Sequence, residues 1–120
     1  MATAAGQTAD TLRAMTKRDR QGHELDLLEW ADRRNDASYC VVDEGTVGEA
    51  TVRTIWEGID EIPGSMFLTG VAASGGPFAT VADADTEDEA RAVHQKVLTL
   101  LRGTAQPPAP QVLMRQVREL

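Results

Sequence analysis

The residues that could do chemistry are few and scattered along the 120-residue chain, which contains two histidines and one cysteine. A structural zinc site needs closely spaced pairs of Cys or His, and the sequence has neither a Cys pair nor a His-x-x-x-His spacing. A lone histidine on the apolar side of a helix, as His94 is beside Val93 and Val97, is more often a packing or surface residue than a catalytic base. Cys40 is expected to be a small buried side chain. We therefore predict no catalytic, cofactor-binding or metal site, and no enzyme.

An acidic cluster from Asp83 to Glu89 is the other chemical candidate. A calcium loop that began at Asp83 would need glycine and glutamate where Asp88 and His94 stand. The same acids suit the start of a helix. Thr86 can accept a hydrogen bond from the backbone three residues on, and Glu89 can reach back. The cluster therefore indicates a helix cap.

A well-patterned helix is predicted from this cap to about Arg102, where Gly103 can end it. Its apolar residues recur at helical spacing along one side: Ala90, Val93, Val97, Leu100 and Leu101. Such an amphipathic helix should cover one face of a sheet.

Strands are predicted upstream, at residues 39–44, 49–60, 66–72 and 78–82. Side chains alternate along the second of these, so that Trp56 faces the core while Arg53 and Glu57 face the other side. Gly58 beside Trp56 can permit a close approach of the backbone or a bulge. Turns of about five residues join the strands, which favours an antiparallel meander. The sequence thus predicts an α+β fold: a meander of about four strands packed by a C-terminal amphipathic helix.

The N-terminal part predicts helices. Residues 8–20 carry a thin apolar stripe that ends at Gln21-Gly22, and residues 23–34 form a second helical candidate with Trp30 as a core anchor. We expect residues 1–22 to be a helical extension and residues 23–103 to form the α+β domain.

The C-terminal part, residues 104–120, begins with a proline-rich linker and ends with a short amphipathic segment. Two arrangements of this tail are open. It could be an attachment arm for a partner, or it could fold back on its own domain.

Charge is divided unevenly along the chain, whose net charge is −7. Residues 1–34 are neutral overall, residues 35–90 carry −11, and residues 91–120 carry +4. One interpretation is a soluble surface that like charge keeps from aggregating. The more specific interpretation is an acidic face that binds a basic partner. The basic run from Lys17 to Arg20 could contact an acidic surface, including this protein's own middle section. The acidic balance argues against nucleic-acid binding.

Targeting signals are missing from the sequence. It lacks the basic and apolar start of a signal peptide and any apolar stretch of about 18 residues. We expect no membrane partner, and a location in the cytoplasm of a host cell or within a phage particle.

Segments of the sequence resemble short uncharacterised proteins encoded by actinobacteria and their phages and prophages. The residues that carry the resemblance are Leu28 to Ala31, Thr51 to Asp60, Phe67 to Thr69, and Thr86 to His94. The chain departs from the pattern at Glu61, where a histidine is usual. The resemblance covers roughly residues 25–102. It implies an α+β fold and a phage-linked origin, and it implies no catalytic residue.

The functional hypothesis is a small non-enzymatic protein that binds a host or phage protein through an acidic surface. An alternative is a structural component of a virion held by its two extensions, and a homo-oligomer is possible. The candidate interaction residues are Glu49, Arg53, Glu57, Asp60 and Glu87 on the body, and Val112, Leu113, Val117 and Leu120 on the tail.

Overall fold

A computed structural model describes residues 15–60, 66–104 and 108–119. Within these ranges four strands form one antiparallel sheet in chain order: β3 (Val41–Val47), β4 (Ala50–Trp56), β5 (Phe67–Ala73) and β6 (Ala79–Ala84). A small hairpin precedes them, made of β1 (Lys17–Arg18) and β2 (Glu24–Leu25). The helices are α1 (Leu27–Arg34), α2 (Ala37–Cys40), α3 (Glu87–Arg102) and α4 (Pro110–Glu119). The fold is α+β, as predicted.

One face of the sheet is covered by α3. Alternate residues of the central strand β4, from Ala50 through Val52 to Trp56, are fully buried on this face. Val97 and Leu98 on α3 pack in the same core. A Cβ atom at Gly45 would lie 3.3 Å from a methyl group of Leu98. The helix can therefore approach the edge strand β3 because that strand carries no side chain at this position.

The two tryptophans are held by backbone carbonyls near the C-terminal end of β4. The indole nitrogen of Trp56 donates to the carbonyl of Arg18 at 2.9 Å, and that of Trp30 donates to the carbonyl of Glu57 at 2.9 Å. Gly58 has a positive φ of 81°, and a Cβ atom there would collide with the Trp56 indole. The close backbone approach predicted at Gly58 is present, and Trp30 packs against the core while half-buried.

The hairpin replaces part of the predicted N-terminal helices. Residues 8–14 lie outside the described ranges, but Lys17 and Arg18 are extended rather than helical. The backbone N–H of Arg18 donates to the carbonyl of Gly58 at 2.9 Å. The Asp19 carboxylate stabilises the turn between β1 and β2, because it accepts hydrogen bonds from the backbone N–H groups of Gln21 and His23. The hairpin therefore spans the domain boundary predicted at residue 22.

Helix α1 begins four residues later than the 23–34 segment predicts. Asp26 caps it, since its carboxylate accepts from the N–H of Glu29 at 2.8 Å while the Glu29 side chain accepts from the N–H of Asp26. This reciprocal cap satisfies two donors that helical hydrogen bonds leave unpaired. Glu24 and Leu25 consequently stay in β2.

The first sheet strand is also shifted from its predicted position. The Asp36 carboxylate caps a single helical turn, Ala37–Cys40, so the strand begins at Val41 instead of residue 39. It runs through Gly45 to Val47, and the turn to β4 contains Gly48 with a φ of 58°. The other three strands begin and end within two residues of their predicted bounds, with one exception. The second strand ends at Trp56 rather than at residue 60.

The C-terminal helix α4 folds back on its own domain. Leu113 and Val117 are buried and belong to the same apolar cluster as Val97 and Leu101 of α3. The apolar side of α4 therefore contributes to the core, which is the second of the two arrangements that the tail sequence left open.

Candidate functional site

A chain of buried polar groups links α3 to the middle of the sheet. The Nδ1 atom of His94 lies 2.9 Å from the hydroxyl oxygen of Thr54, which lies 2.7 Å from the hydroxyl oxygen of Thr69. Thr54 and Thr69 face each other across β4 and β5. Buried polar groups of this kind are almost always hydrogen-bonded. Each of these three side chains provides a hydrogen-bond partner for its neighbour.

The other ring nitrogen of His94, Nε2, faces Asp43 at 3.8 Å and makes no hydrogen bond. A register shift between Val41 and Asp43 turns Asp43 toward the helix, opposite Thr54. Burial lowers the pKa of His94; Asp43 raises it and Arg91 lowers it further. The lowered pKa keeps the imidazole neutral near pH 7. We assign its proton to Nε2, on the side of the Asp43 carboxylate, so that Nδ1 accepts from Thr54.

A hydroxyl, an imidazole and a carboxylate in this order are the groups of a nucleophilic triad. Here the Thr54 hydroxyl and the imidazole are both 0% exposed, between helix and sheet. A substrate could reach them only if α3 left the sheet. His94 is thus a buried packing residue, which is one of the two alternatives that the sequence leaves open.

Arginines from the first part of the chain pair with acids of the middle section. The pairs are Arg18–Asp60 at 2.7 Å, Arg20–Glu87 at 2.6 Å and Arg34–Glu57 at 3.4 Å. The hydrogen bond from Arg20 is the main cause of the lowered pKa of Glu87, and Arg91 adds to it. The basic run thus contacts this protein's own acidic body. Three of the predicted interaction acids already form ion pairs within the protein.

The second face of the sheet is free of helices in the described part of the chain. We call it the open face and define it by the residues that line a shallow cavity there: Arg53, Ile55, Glu57, Leu68, Gly70, Phe78 and Thr80. The cavity measures about 240 Å³. It forms because Gly70 has no side chain between Phe78 and the central strand.

Apolar side chains form the floor of the open face and charged ones its border. Ile55 and Leu68 are half-buried register partners, and Phe78 remains 41% exposed. The Arg53 guanidinium lies 4.4 Å from the centre of the Phe78 ring and pairs with Glu44 at 2.6 Å. A cation over an aromatic face stabilises both groups without covering the ring edge. The result is an accessible apolar depression with an ordered charged border.

The structure brings two of the predicted interaction residues, Arg53 and Glu57, to this face. Glu49 lies at the turn between β3 and β4, where it accepts a hydrogen bond from Ser74 at 2.9 Å. Asp60 and Glu87 are held in the ion pairs above. On the tail, Val112 is 40% exposed, whereas Leu113 and Val117 are buried in the protein's own core and Leu120 lies outside the described residues.

The sequence reasoning missed the apolar members of the open face. The alternation along β4 places Ile55 on the same side as Arg53 and Glu57, but nothing in that pattern marks it as an interaction residue. Leu68, Gly70 and Phe78 come from other strands, and only the register between the strands places them beside Ile55. A register cannot be derived from the period of one strand.

Two further features concern metals and membranes. Among the residues that the structure describes, no group of three or more His, Cys, Asp or Glu could hold a metal ion. No helix in the same ranges is long and apolar enough to cross a membrane. Cys40 is buried, and its thiol donates to the carbonyl of Arg33 at 3.2 Å.

Taken together, these features describe an α+β protein with helices on one side of its sheet and an apolar depression on the other. Comparison of the chain with protein-family models, with curated proteins and with solved structures found no significant match in any of the three. The open face itself is therefore the basis for a functional proposal.

Proposed function

We propose that this protein is a small non-enzymatic binding protein that docks another protein on its open face. The observation that carries the proposal is the depression at Gly70, where Ile55 and Leu68 on the two central strands are partly accessible beside the exposed Phe78, which precedes the edge strand β6. Contiguous apolar surface of this kind is typical of interaction sites. A pocket of about 240 Å³ can accept one large apolar side chain of a partner, which is the usual form of an interface hot spot.

The charge of the body supports a basic partner. Several acids form no ion pair with any described residue: Glu49, Asp83, Asp85, Asp88 and Glu89. They belong to the segment that carries −11, in which Arg53 is the one basic residue. Such a surface attracts positive charge over about 10 Å at moderate salt. In keeping with the resemblance noted above, we place the partner among the proteins of an actinobacterial host or its phage.

The virion alternative stays a prediction. It needs free extensions, and the apolar side of the tail helix contributes instead to the protein's own core through Leu113 and Val117.

The test begins by finding the partner through the open face itself. A photo-crosslinking amino acid at Phe78 is compared with the same group at Leu28, which is 77% exposed on α1. The proposal requires a basic protein crosslinked from position 78 and not from position 28. Crosslinks of equal yield from both positions, or from neither, would contradict it.

Affinity for the purified partner then tests the depression. Phe78→Ala and Leu68→Asp should weaken binding by about tenfold or more, the loss typical of a hot-spot residue. Leu28→Asp and Val112→Asp are matched controls, since both change exposed apolar residues away from the open face. Equal losses from the controls would place the contact elsewhere.

Electrostatic steering is tested at Glu49. Its charge reversal, Glu49→Lys, should slow association at low salt and leave the dissociation rate nearly unchanged. Glu57 and Glu87 are less suitable, because reversal would also break their ion pairs with Arg34 and Arg20. An association rate that is independent of both salt and Glu49 would refute the electrostatic part of the proposal.

A further inference from the structure

A second cavity of about 300 Å³ lies along the outer edge of the sheet, where α3 and α4 approach β6. We call it the edge cavity. Its lining includes residues 80–83 of β6, Val93 of α3, and Met114, Val117 and Arg118 of α4. Thr80 also lines the depression of the open face. The edge cavity and the depression therefore adjoin at one residue of the edge strand.

Residues of β6 that point to opposite faces of the sheet line this one cavity. Thr80 and Asp83 pair in register with residues that line the open face, so their side chains lie on the open side. Val81 and Ala82 pack with the helices on the other side. A cavity confined to one face would meet only one of these two sets. The edge cavity therefore reaches the main chain of β6 at the border of the sheet.

The main chain of β6 is free to pair on this outer side. In the part of the chain that the structure describes, no backbone hydrogen bond joins β6 to any element other than β5. Such an edge strand presents a row of unpaired N–H and C=O groups to a further strand. Charged side chains commonly protect the edges of natural sheets. The other edge strand, β3, carries Asp43 and Glu44, whereas Asp83 is the one charged residue of β6.

The spacing along this edge defines the side chains of a strand that pairs there. The register between β5 and β6 skips Val81, so Thr80 and Asp83 are only two positions apart in the ladder. A neighbouring strand places one side chain beside each of these two residues on the open side, and one side chain between them on the helix side. The open-side position at Thr80 adjoins the depression, and the helix-side position adjoins the apolar part of the edge cavity.

Charge decides the residue type at the position beside Asp83. This carboxylate is exposed and forms no ion pair with any described residue, so a basic side chain can pair with it. It belongs to the segment from residue 35 to residue 90, which carries −11. On the helix side the positive charge of Arg118 disfavours a basic side chain, and Val93, Met114 and Val117 favour an apolar one.

We propose that an extended segment of a partner protein adds to the edge of β6 as a fifth strand of the sheet. Three consecutive residues of this segment are recognised: a large apolar residue at the depression, an apolar residue in the edge cavity, and a lysine or arginine beside Asp83. Strand addition of this kind takes its affinity from main-chain hydrogen bonds and its specificity from alternate side chains. The inference rests on the proposed function, because it states how the partner on the open face is bound.

Synthetic peptides test this binding mode on the full-length ¹⁵N-labelled protein by NMR. The two probes, capped at both ends, are Ser-Thr-Phe-Leu-Lys-Thr-Ser and its reverse, Ser-Thr-Lys-Leu-Phe-Thr-Ser, which cover both directions of the added strand. One of them should shift the amide resonances of β6 saturably, with a Kd of about 1 mM or below. It should also slow the hydrogen exchange of alternate amides in β6 and of none in β3. No saturable shift by either probe at about 10 mM, or slowed exchange in β3 alone, would overturn the proposal.

Methylation of the peptide nitrogens separates strand addition from docking by side chains alone. Along a strand, the N–H groups of successive residues point to opposite edges. The better probe is therefore methylated either at its odd-numbered or at its even-numbered residues. One set should weaken binding about tenfold or more and the other should leave it within about twofold, because only one edge of the peptide pairs with β6. Equal effects of the two sets would overturn the proposal.

A charge reversal at Asp83 tests the basic position. Asp83→Lys should weaken binding of the lysine probe about fivefold or more, and it should strengthen binding of the same peptide with glutamate in place of lysine. Asp32→Lys is the matched control, since Asp32 is an exposed acid on α1 that lines neither cavity. Equal effects of the two reversals would mean that only the overall charge attracts the probe, and would overturn the assignment of Asp83.

A cavity-filling substitution tests the helix-side position. Replacing the leucine of the probe by alanine should weaken binding to the native protein several-fold. In Val93→Phe, whose larger side chain occupies part of the edge cavity, the same replacement should have little effect, and the dispersion of the NMR spectrum shows whether this variant is folded. A leucine effect of the same size in both proteins, or no leucine effect in the native protein, would overturn the assignment of the edge cavity.

Failure of this inference and failure of the proposed function give different results. If both methylated probes bind equally while Phe78→Ala still weakens binding of the partner, the partner docks on the open face without adding a strand. If only one methylated probe binds and Phe78→Ala changes the affinity of neither probe nor partner, strand addition at β6 stands and the open face is refuted as the docking site.

Discussion

Thr54→Val is the most informative perturbation of the buried polar chain. Valine has nearly the shape of threonine, so the packing between α3 and the sheet is kept while the hydroxyl is lost. With the His94 proton assigned to Nε2, the Thr54 hydroxyl donates to His94 Nδ1, 2.9 Å away, and accepts from the Thr69 hydroxyl, 2.7 Å away. The substitution therefore leaves two fully buried groups without partners.

The expected magnitude follows from this count. Each of the two buried polar groups that loses its only partner costs about 1–3 kcal/mol, so Thr54→Val should lower the free energy of unfolding by about 2–6 kcal/mol. Thr69→Val is the matched control. In that variant the Thr54 hydroxyl still donates to His94 and loses only a donor to its own oxygen, so the loss should be about 1 kcal/mol. In the double variant, only His94 Nδ1 is left unsatisfied.

Urea unfolding at pH 7.5 measures these values, provided that the slope of the transition is the same for all variants. The double variant should lose less stability than the sum of the two single variants, because the hydroxyl of Thr69 is no longer present to be left unpaired. Equal losses for Thr54→Val and Thr69→Val would refute the assigned direction of the hydrogen bonds. A loss below about 0.5 kcal/mol for Thr54→Val would show that the hydrogen bonds among His94, Thr54 and Thr69 do not stabilise the fold.

Two further predictions concern pH and backbone conformation. Burial lowers the pKa of His94 in the folded state, so the unfolded chain takes up a proton that the folded chain resists. The free energy of unfolding should fall as the pH drops below about 6.5, the ordinary histidine value. His94→Gln should flatten this dependence between about pH 7.5 and 5.5, above the range in which the lowered pKa of Glu87 acts. Gly58→Ala should destabilise the protein by about 3 kcal/mol or more, because it combines a positive φ with a collision against Trp56. Gly75→Ala, at a φ of 77° with open space around it, should lose only about 1 kcal/mol; similar losses for both glycines would show that the collision is unimportant.

Several elements of the fold follow from local sequence patterns. The alternation along β4 places Trp56 on the core side and Arg53 and Glu57 on the other side, as predicted. Thr86 caps α3 as predicted, although Glu89 accepts from the backbone of Asp85 rather than from that of Thr86. These features are local because a period of two or 3.6 residues and a cap are properties of a few consecutive residues.

Long-range contacts explain the differences between prediction and structure in the N-terminal part. Lys17 and Arg18 form a strand because their partners are Leu25, Gly58 and Ile59, which no pattern around residue 17 reveals. A thin apolar stripe alone cannot hold a helix in water, and the extended conformation gains these hydrogen bonds instead.

Charge provides the clearest contrast between the sequence and the tertiary structure. The sequence by itself determined that residues 35–90 carry −11 and that the first 34 residues contain six basic side chains. Only the tertiary structure decided that Arg18, Arg20 and Arg34 neutralise Asp60, Glu87 and Glu57. The same is true of Gly70 and Phe78, which become a depression only when β5 and β6 take their register beside β4. Composition and periodicity are properties of consecutive residues and can be read along the chain. An ion pair or a depression forms only where residues far apart in sequence meet, and the packing of the whole domain decides which residues do.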